Sequence, residues 1–164
     1  MVKNVKWFFV VLAISSLISL SFDKKKTLTD ELPVGKLAPE VVLCNETKPL
    51  NLQSAQGKYT LLSFWASYDA ASRVKNAKLN HLAGNDARIK IISISFDRYE
   101  SVYRAAIEQD GNDSGNCYWE MEGENSDIYK SYGLKNGFTN YLVDNEGVIV
   151  AKDVTADMLA SLLD

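Results

Sequence analysis

After residue 49 this chain of 164 residues has no proline; Pro33, Pro39 and Pro49 are the only three. The remainder therefore has no X-Pro bond with which to fix a cis turn or a rigid corner. Cysteine is almost as scarce. Cys44 and Cys117 stand far apart, so no Cys-X-X-Cys pair exists. Histidine is limited to His81, which together with the cysteine spacing leaves no ligand set for a metal site of the usual His/Cys type. Neither a metal nor another cofactor is expected. A surplus of positive charge is missing too: 21 acidic residues face 18 basic ones, a net charge of -3, which gives no reason to expect nucleic acid as a partner. Internal repeats and low-complexity tracts are absent.

What is present begins with "MVKNVKWFFVVLAISSLISLSF". Lys3 and Lys6 precede an apolar run over residues 7–20 that contains no acidic residue, the pattern of an export signal. Ser19 and Ser21 supply small-x-small spacing, so cleavage is expected after Ser21, leaving 16 basic and 21 acidic residues, a net charge of -5. An exported, periplasmic or cell-envelope location follows. The rival is an uncleaved membrane anchor through residues 7–22, because Lys24, Lys25 and Lys26 follow directly and resist translocation. The run falls short of the typical span of about 20 residues, which favours cleavage. No cysteine follows it to carry a lipid. The expected organisation is a leader over residues 1–21, a Pro/Gly-punctuated linker over 22–37 and one domain over 38–164.

Within that domain the elements alternate. "EVVLC" and "PLNLQ" read as a short strand pair around "NETK", and "YTLLSFWAS" as a buried central strand. A helix is predicted over residues 69–82, with Val74, Ala77, Leu79 and Leu82 on its inner side and Gly84 as its stop. "IKIISISF" follows as a second central strand, then a helix over 99–109, a Gly/Asn/Asp loop, a short strand "CYWEM" and a short helix over 126–132. "TNYLVD", the turn "NEG" and "VIVAKD" form a hairpin, and Met158, Leu159, Leu162 and Leu163 mark a final amphipathic helix.

The order "APEVVL", "GKYTLLSFWAS", helix, "IKIISISFD", "YGLKNGFTNYLVDNEGVIV" resembles the thioredoxin-like proteins of the TlpA/ResA and peroxiredoxin-related (AhpC/TSA) group. The resemblance covers residues 38–164. It implies an α/β fold, a thioredoxin-like three-layer α/β/α sandwich with a central mixed β-sheet and an N-terminal β-hairpin extension. In that family a cysteine at the helix N-terminus is activated by the helix dipole, and a second cysteine three residues later completes the redox pair. The matching positions here are Asp69 and Ser72. The family's cis-proline position matches Phe138, and the proline-free C-terminal part rules out any realignment that would restore it. The peroxiredoxin chemistry likewise lacks its cysteine near the start of this helix.

Each candidate residue has a plain structural reading beside its functional one. Asp69 reads first as a helix cap, and Ser72 lacks a base, since His81 lies about two turns further along the helix. Asp144 reads as the residue that starts the hairpin turn. Cys44 and Cys117, both in predicted strands, read as separate buried thiols in preference to a structural disulfide or a redox couple. Trp65, Tyr68 and Phe138 would lie at the former active-site edge, as packing residues or as an apolar groove for a protein or peptide partner. Two functions remain. One is a redox-inactive binding or scaffolding domain of the cell envelope; the other is a thiol-disulfide oxidoreductase or peroxidase-like enzyme that uses Cys44 or Cys117. The first is preferred, and an enzyme is the less expected outcome.

Overall fold

The structure, a computed structural model, describes residues 32–52, 58–84 and 86–163. The expected leader, and the linker up to residue 31, lie outside them. Among the described residues no helix is long and apolar enough to cross a membrane.

Five strands form one mixed sheet: β1 (Tyr59–Trp65), β2 (Ile89–Ser95), β3 (Cys117–Trp119), β4 (Asn140–Asp144) and β5 (Ile149–Lys152), in the order β3-β2-β1-β4-β5. β1 runs parallel to β2, and β2 to β3; β4 pairs antiparallel with both β1 and β5. The central position of β1 accounts for the burial of residues 60–65, Thr60 and Ser63 included among the apolar ones, since both of its faces are covered. Side chains alternate between those faces. Leu62 and Phe64 join Ile92, Ile94, Tyr141 and Val143 in one core cluster, whereas Leu61, Ile91 and Leu142 join Leu79, Ala83 and Leu159 in another.

Among the described residues four α-helices cover the sheet: α1 (Ala70–Ala83), α2 (Glu100–Asp110), α3 (Asp127–Ser131) and α4 (Ala156–Leu163). The bounds of α1 agree with the sequence expectation, and of the residues expected on one side Leu79 is buried and Leu82 packs against the core, but Val74 is not inside and much of the face is polar. Ser72, Asn76, Leu79, Asn80 and Ala83 are buried, while Val74 is 53% exposed. On this face β2 and the helix itself supply partners for the Asn76 side-chain oxygen and for Asn80, while Asn76 Nδ2 is buried without one among the described residues. Ser93 Oγ donates to Asn76 Oδ1 at 2.7 Å, and Asn80 Nδ2 donates to the Asn76 carbonyl oxygen at 2.9 Å. Gly84 ends the helix with right-handed geometry (φ -62°), so its value there is room: a Cβ would meet the Asn80 carbonyl oxygen at 3.0 Å.

The strand pair expected around "NETK" is reduced to a chain reversal. Leu50 N–H donates to the Val41 carbonyl at 2.8 Å and Glu46 N–H to Leu43 at 2.9 Å, without two strands of a ladder. Pairing occurs earlier instead, as an isolated antiparallel bridge between Leu37 and Val148: Gly35 N–H donates to the Ile149 carbonyl, Ala38 N–H to that of Gly147, and Ile149 N–H to that of Lys36. The C-terminal hairpin is as expected. Asp144 Oδ1 accepts from Glu146 and Val148 N–H, each at 2.9 Å, and fixes the turn.

Candidate functional site

The end of β1, the loop 66–69 and the first turn of α1 form one hydrogen-bonded unit. An α-helix leaves its first N–H groups without intrahelical partners. Here Asp69 is the N-cap: its Oδ1 accepts from Ala71 N–H at 3.1 Å and Ser72 N–H at 3.3 Å. Ser72, 7% exposed, donates through Oγ to the Asp69 carbonyl at 3.1 Å and accepts from Ala66 N–H at 3.4 Å. The side chains of Asp69 and Ser72 are therefore both occupied in closing the loop. His81 is exposed in the last turn of α1, remote from Ser72 along the helix.

Beneath the loop lies Asp97, only 2% exposed. Its Oδ1 accepts from Ser67 N–H at 2.9 Å and Ser67 Oγ at 2.5 Å, and its Oδ2 accepts from Ser95 Oγ at 2.7 Å. Trp119 Nε1 donates to its carbonyl at 2.7 Å. Three hydrogen bonds to the carboxylate compensate for its burial. Sequence reading missed this residue. The parallel register Trp65↔Ser95 carries the signal, because the positions two residues beyond each strand end, Ser67 and Asp97, then lie side by side.

Aromatic rings fill the adjoining edge. Phe138 stacks on Phe96 with centroids 5.7 Å apart, and meets Tyr129 edge-on at 6.4 Å and Tyr68 at 6.2 Å. Phe96 continues the stack inward to Phe64 at 6.1 Å, and Phe64 to Tyr132 at 4.7 Å. Gly137, at φ +130°, turns the chain into Phe138 through a conformation that side-chain-bearing residues rarely adopt. Trp65 is not part of this edge. It is fully buried with Tyr103, Ala106, Ile107 and Cys117, because its odd position in β1 points to the face opposite Phe64. The edge consists of Tyr68, 66% exposed, with Phe138 and Tyr129, both half-buried. Neither Tyr129 nor Phe96 was singled out by sequence reading.

The thiols lie elsewhere, and they are not joined to each other. Cys117 is buried in β3 opposite Ser93; burial pushes its thiol up to about 11, although a hydrogen bond with Ser93 acts the other way. Cys44, expected as a buried thiol in a strand, is instead exposed in the turn that replaces the strand pair, and its N–H donates to Glu120 Oε2 at 3.2 Å. Partial burial, with help from the Glu120 carboxylate, raises its thiol above the ordinary value. Neither thiol is shifted toward the thiolate that exchange chemistry needs. Among the described residues, no three His, Cys, Asp or Glu side chains group to hold a metal.

A central mixed sheet in this strand order, with a helix capped directly behind its middle strand, defines the thioredoxin-like class of α/β protein. The chain belongs to the thioredoxin-like family: it is 37% identical to a thioredoxin-like protein from Parabacteroides distasonis, over 81% of this chain and 96% of that one, with a TM-score of 0.73. The thioredoxin domain of a thiol-disulfide oxidoreductase from Bacteroides vulgatus is 29% identical over 81% of this chain and 96% of that one, with a TM-score of 0.65. The C-terminal domain of a putative thiol-disulfide oxidoreductase from Bacteroides thetaiotaomicron is 27% identical over 80% and 93%, with a TM-score of 0.67. No family model matches the sequence, and no curated protein matches it.

Proposed function

We propose that this protein is a redox-inactive thioredoxin-like domain of the cell envelope that binds a protein or peptide partner through the edge formed by Tyr68 and Phe138. One observation carries the reading. The N–H groups at the start of α1, which would stabilise a thiolate in a redox member of the family, are taken by the carboxylate of Asp69. The two thiols present are raised rather than lowered in pKa, which supports the same conclusion. The exposed ring of Tyr68 against Phe138 supplies an apolar surface where the family's substrate strand would approach.

The test is reduction of insulin disulfides by the purified protein with dithiothreitol as electron source. The rate should equal that of the protein-free control. Turnover above it that disappears in Cys44→Ser or Cys117→Ser would overturn the reading and favour an oxidoreductase working through that thiol. Export is part of the proposal and has its own measurement: mass spectrometry of the envelope fraction should find a chain that begins at Phe22.

A further inference from the structure

The charged side chains that act on Tyr68, at the exposed end of this edge, are all acidic. Glu124 is exposed beside Tyr68, Asp69 caps the helix below it, and Asp97 is buried under the same loop. Burial first, then the charges of Glu124, Asp97 and Asp69, raise the Tyr68 hydroxyl above its ordinary value. Three basic groups of the neighbouring elements, Arg73, Arg98 and Lys130, are already engaged. Arg73 forms a two-pronged pair with Asp110, with contacts at 2.9 and 2.7 Å, and reaches Gln109 at 2.8 Å. The Arg98 guanidinium lies over the Tyr99 ring, 5.5 Å from its centroid. Lys130 Nζ is 2.5 Å from the Asn125 carbonyl oxygen and 4.0 Å from Asp127. Lys130 and Lys135 line a concavity with Glu124 and Tyr129, so charge is mixed there, and the Tyr68 and Phe138 rings are the better seat for an incoming cation.

A thiolate site at a helix N-terminus is electropositive by construction. With Asp69 in that place, the first N–H groups are capped by a negative group, and the surface above them carries π faces and acid. Such a surface attracts cations, because an aromatic face is negative and a nearby carboxylate adds to its field. We propose that this face receives a basic side chain, arginine or lysine, of an extended partner peptide, its cation lying against the Tyr68 and Phe138 rings with Glu124 as counter-charge. The inference rests on the binding edge proposed above and assigns its partner's chemistry.

The test uses ring-labelled protein and three capped tripeptides, Ala-Arg-Ala, Ala-norleucine-Ala and Ala-Glu-Ala, followed by NMR. The arginine peptide should shift the Tyr68, Phe138 and Tyr129 ring signals saturably and bind about 3- to 10-fold more tightly than the norleucine peptide. Tyr68→Ala should weaken it by a similar factor and Glu124→Gln by about 2- to 3-fold; both sites are exposed, so the fold should persist. Equal binding of the arginine and norleucine peptides at these rings would overturn the inference and leave the binding edge standing. Preference for the glutamate peptide would also overturn it. If none of the three moves these rings, the binding edge itself fails.

Discussion

The start of α1 and the two sites that hold sulfur differ in what they do to a negative charge. At the helix start, two backbone N–H groups converge on one carboxylate oxygen, and Ser72 closes the turn behind it. Around Cys117 there is apolar packing from Trp65, Tyr103 and Ile107, and beside Cys44 there is the carboxylate of Glu120. The place suited to a thiolate has no sulfur, and the places with sulfur are unsuited to a thiolate. What the helix start holds in this fold is a carboxylate that caps the helix and stabilises the loop.

The strongest way to break this contrast is to move sulfur to the helix. Asp69→Cys with Ser72→Cys should form a reversible disulfide and raise insulin reduction from background to a measurable rate, because the N–H groups released by Asp69 would then face a thiol. A double variant that remains fully reduced in air would show that the loop geometry, and not only the missing sulfur, has departed from the redox form.

Next in size is Asp97→Ala. It leaves the Ser67 N–H, the Ser67 hydroxyl and the Ser95 hydroxyl without their common acceptor in a buried place, a loss of about 3 kcal/mol in denaturant unfolding. A loss below about 1 kcal/mol would mean that the loop over Asp97 is held by something else.

The Cys117 thiol sharpens the comparison through pH. Its folded pKa is raised to about 11 from a reference of 9.0, so folding favours the protonated form. The contribution is complete below pH 9 and is lost as pH rises toward 11, because the unfolded chain ionises first. Stability should fall over that window by about 1 to 2 kcal/mol more than in Cys117→Ala. Tyr103, raised to about 12 chiefly by burial, prolongs the decline at higher pH in both proteins. Parallel pH profiles for the two proteins would contradict the buried-thiol assignment.

The smallest effect belongs to Asp69→Ala, a loss of about 1 kcal/mol, the usual worth of an N-cap. Asp69→Asn should recover most of it, since the amide oxygen still caps. If Asn behaves like Ala, charge and not capping is what the position supplies.

The parts of the fold that follow from local chemistry were legible in the sequence. Asp69 announces a helix start, Gly84 its end, Asp144 a turn, and the apolar run of β1 a central strand; each has its role in the structure. What was not legible depends on partners from other elements. The buried face of α1 is polar because Ser93 on β2 meets Asn76, a pairing invisible in helical periodicity alone. Trp65 and Phe64 are adjacent in sequence, yet the pleat sends them to opposite faces, and only Phe64 leads toward the edge. Asp97 has no local signature of burial; it becomes a loop anchor only once β1 and β2 are placed in register.

The central claim, that no thiol of this protein is activated, is tested most directly by following thiolate absorbance in the ultraviolet as the native protein is titrated upward from acid. The account predicts no thiolate below about pH 8, with Cys44 ionising above the ordinary range and Cys117 higher still, toward 11. A thiolate that forms with a midpoint below about pH 7 would contradict it and reveal an activated sulfur.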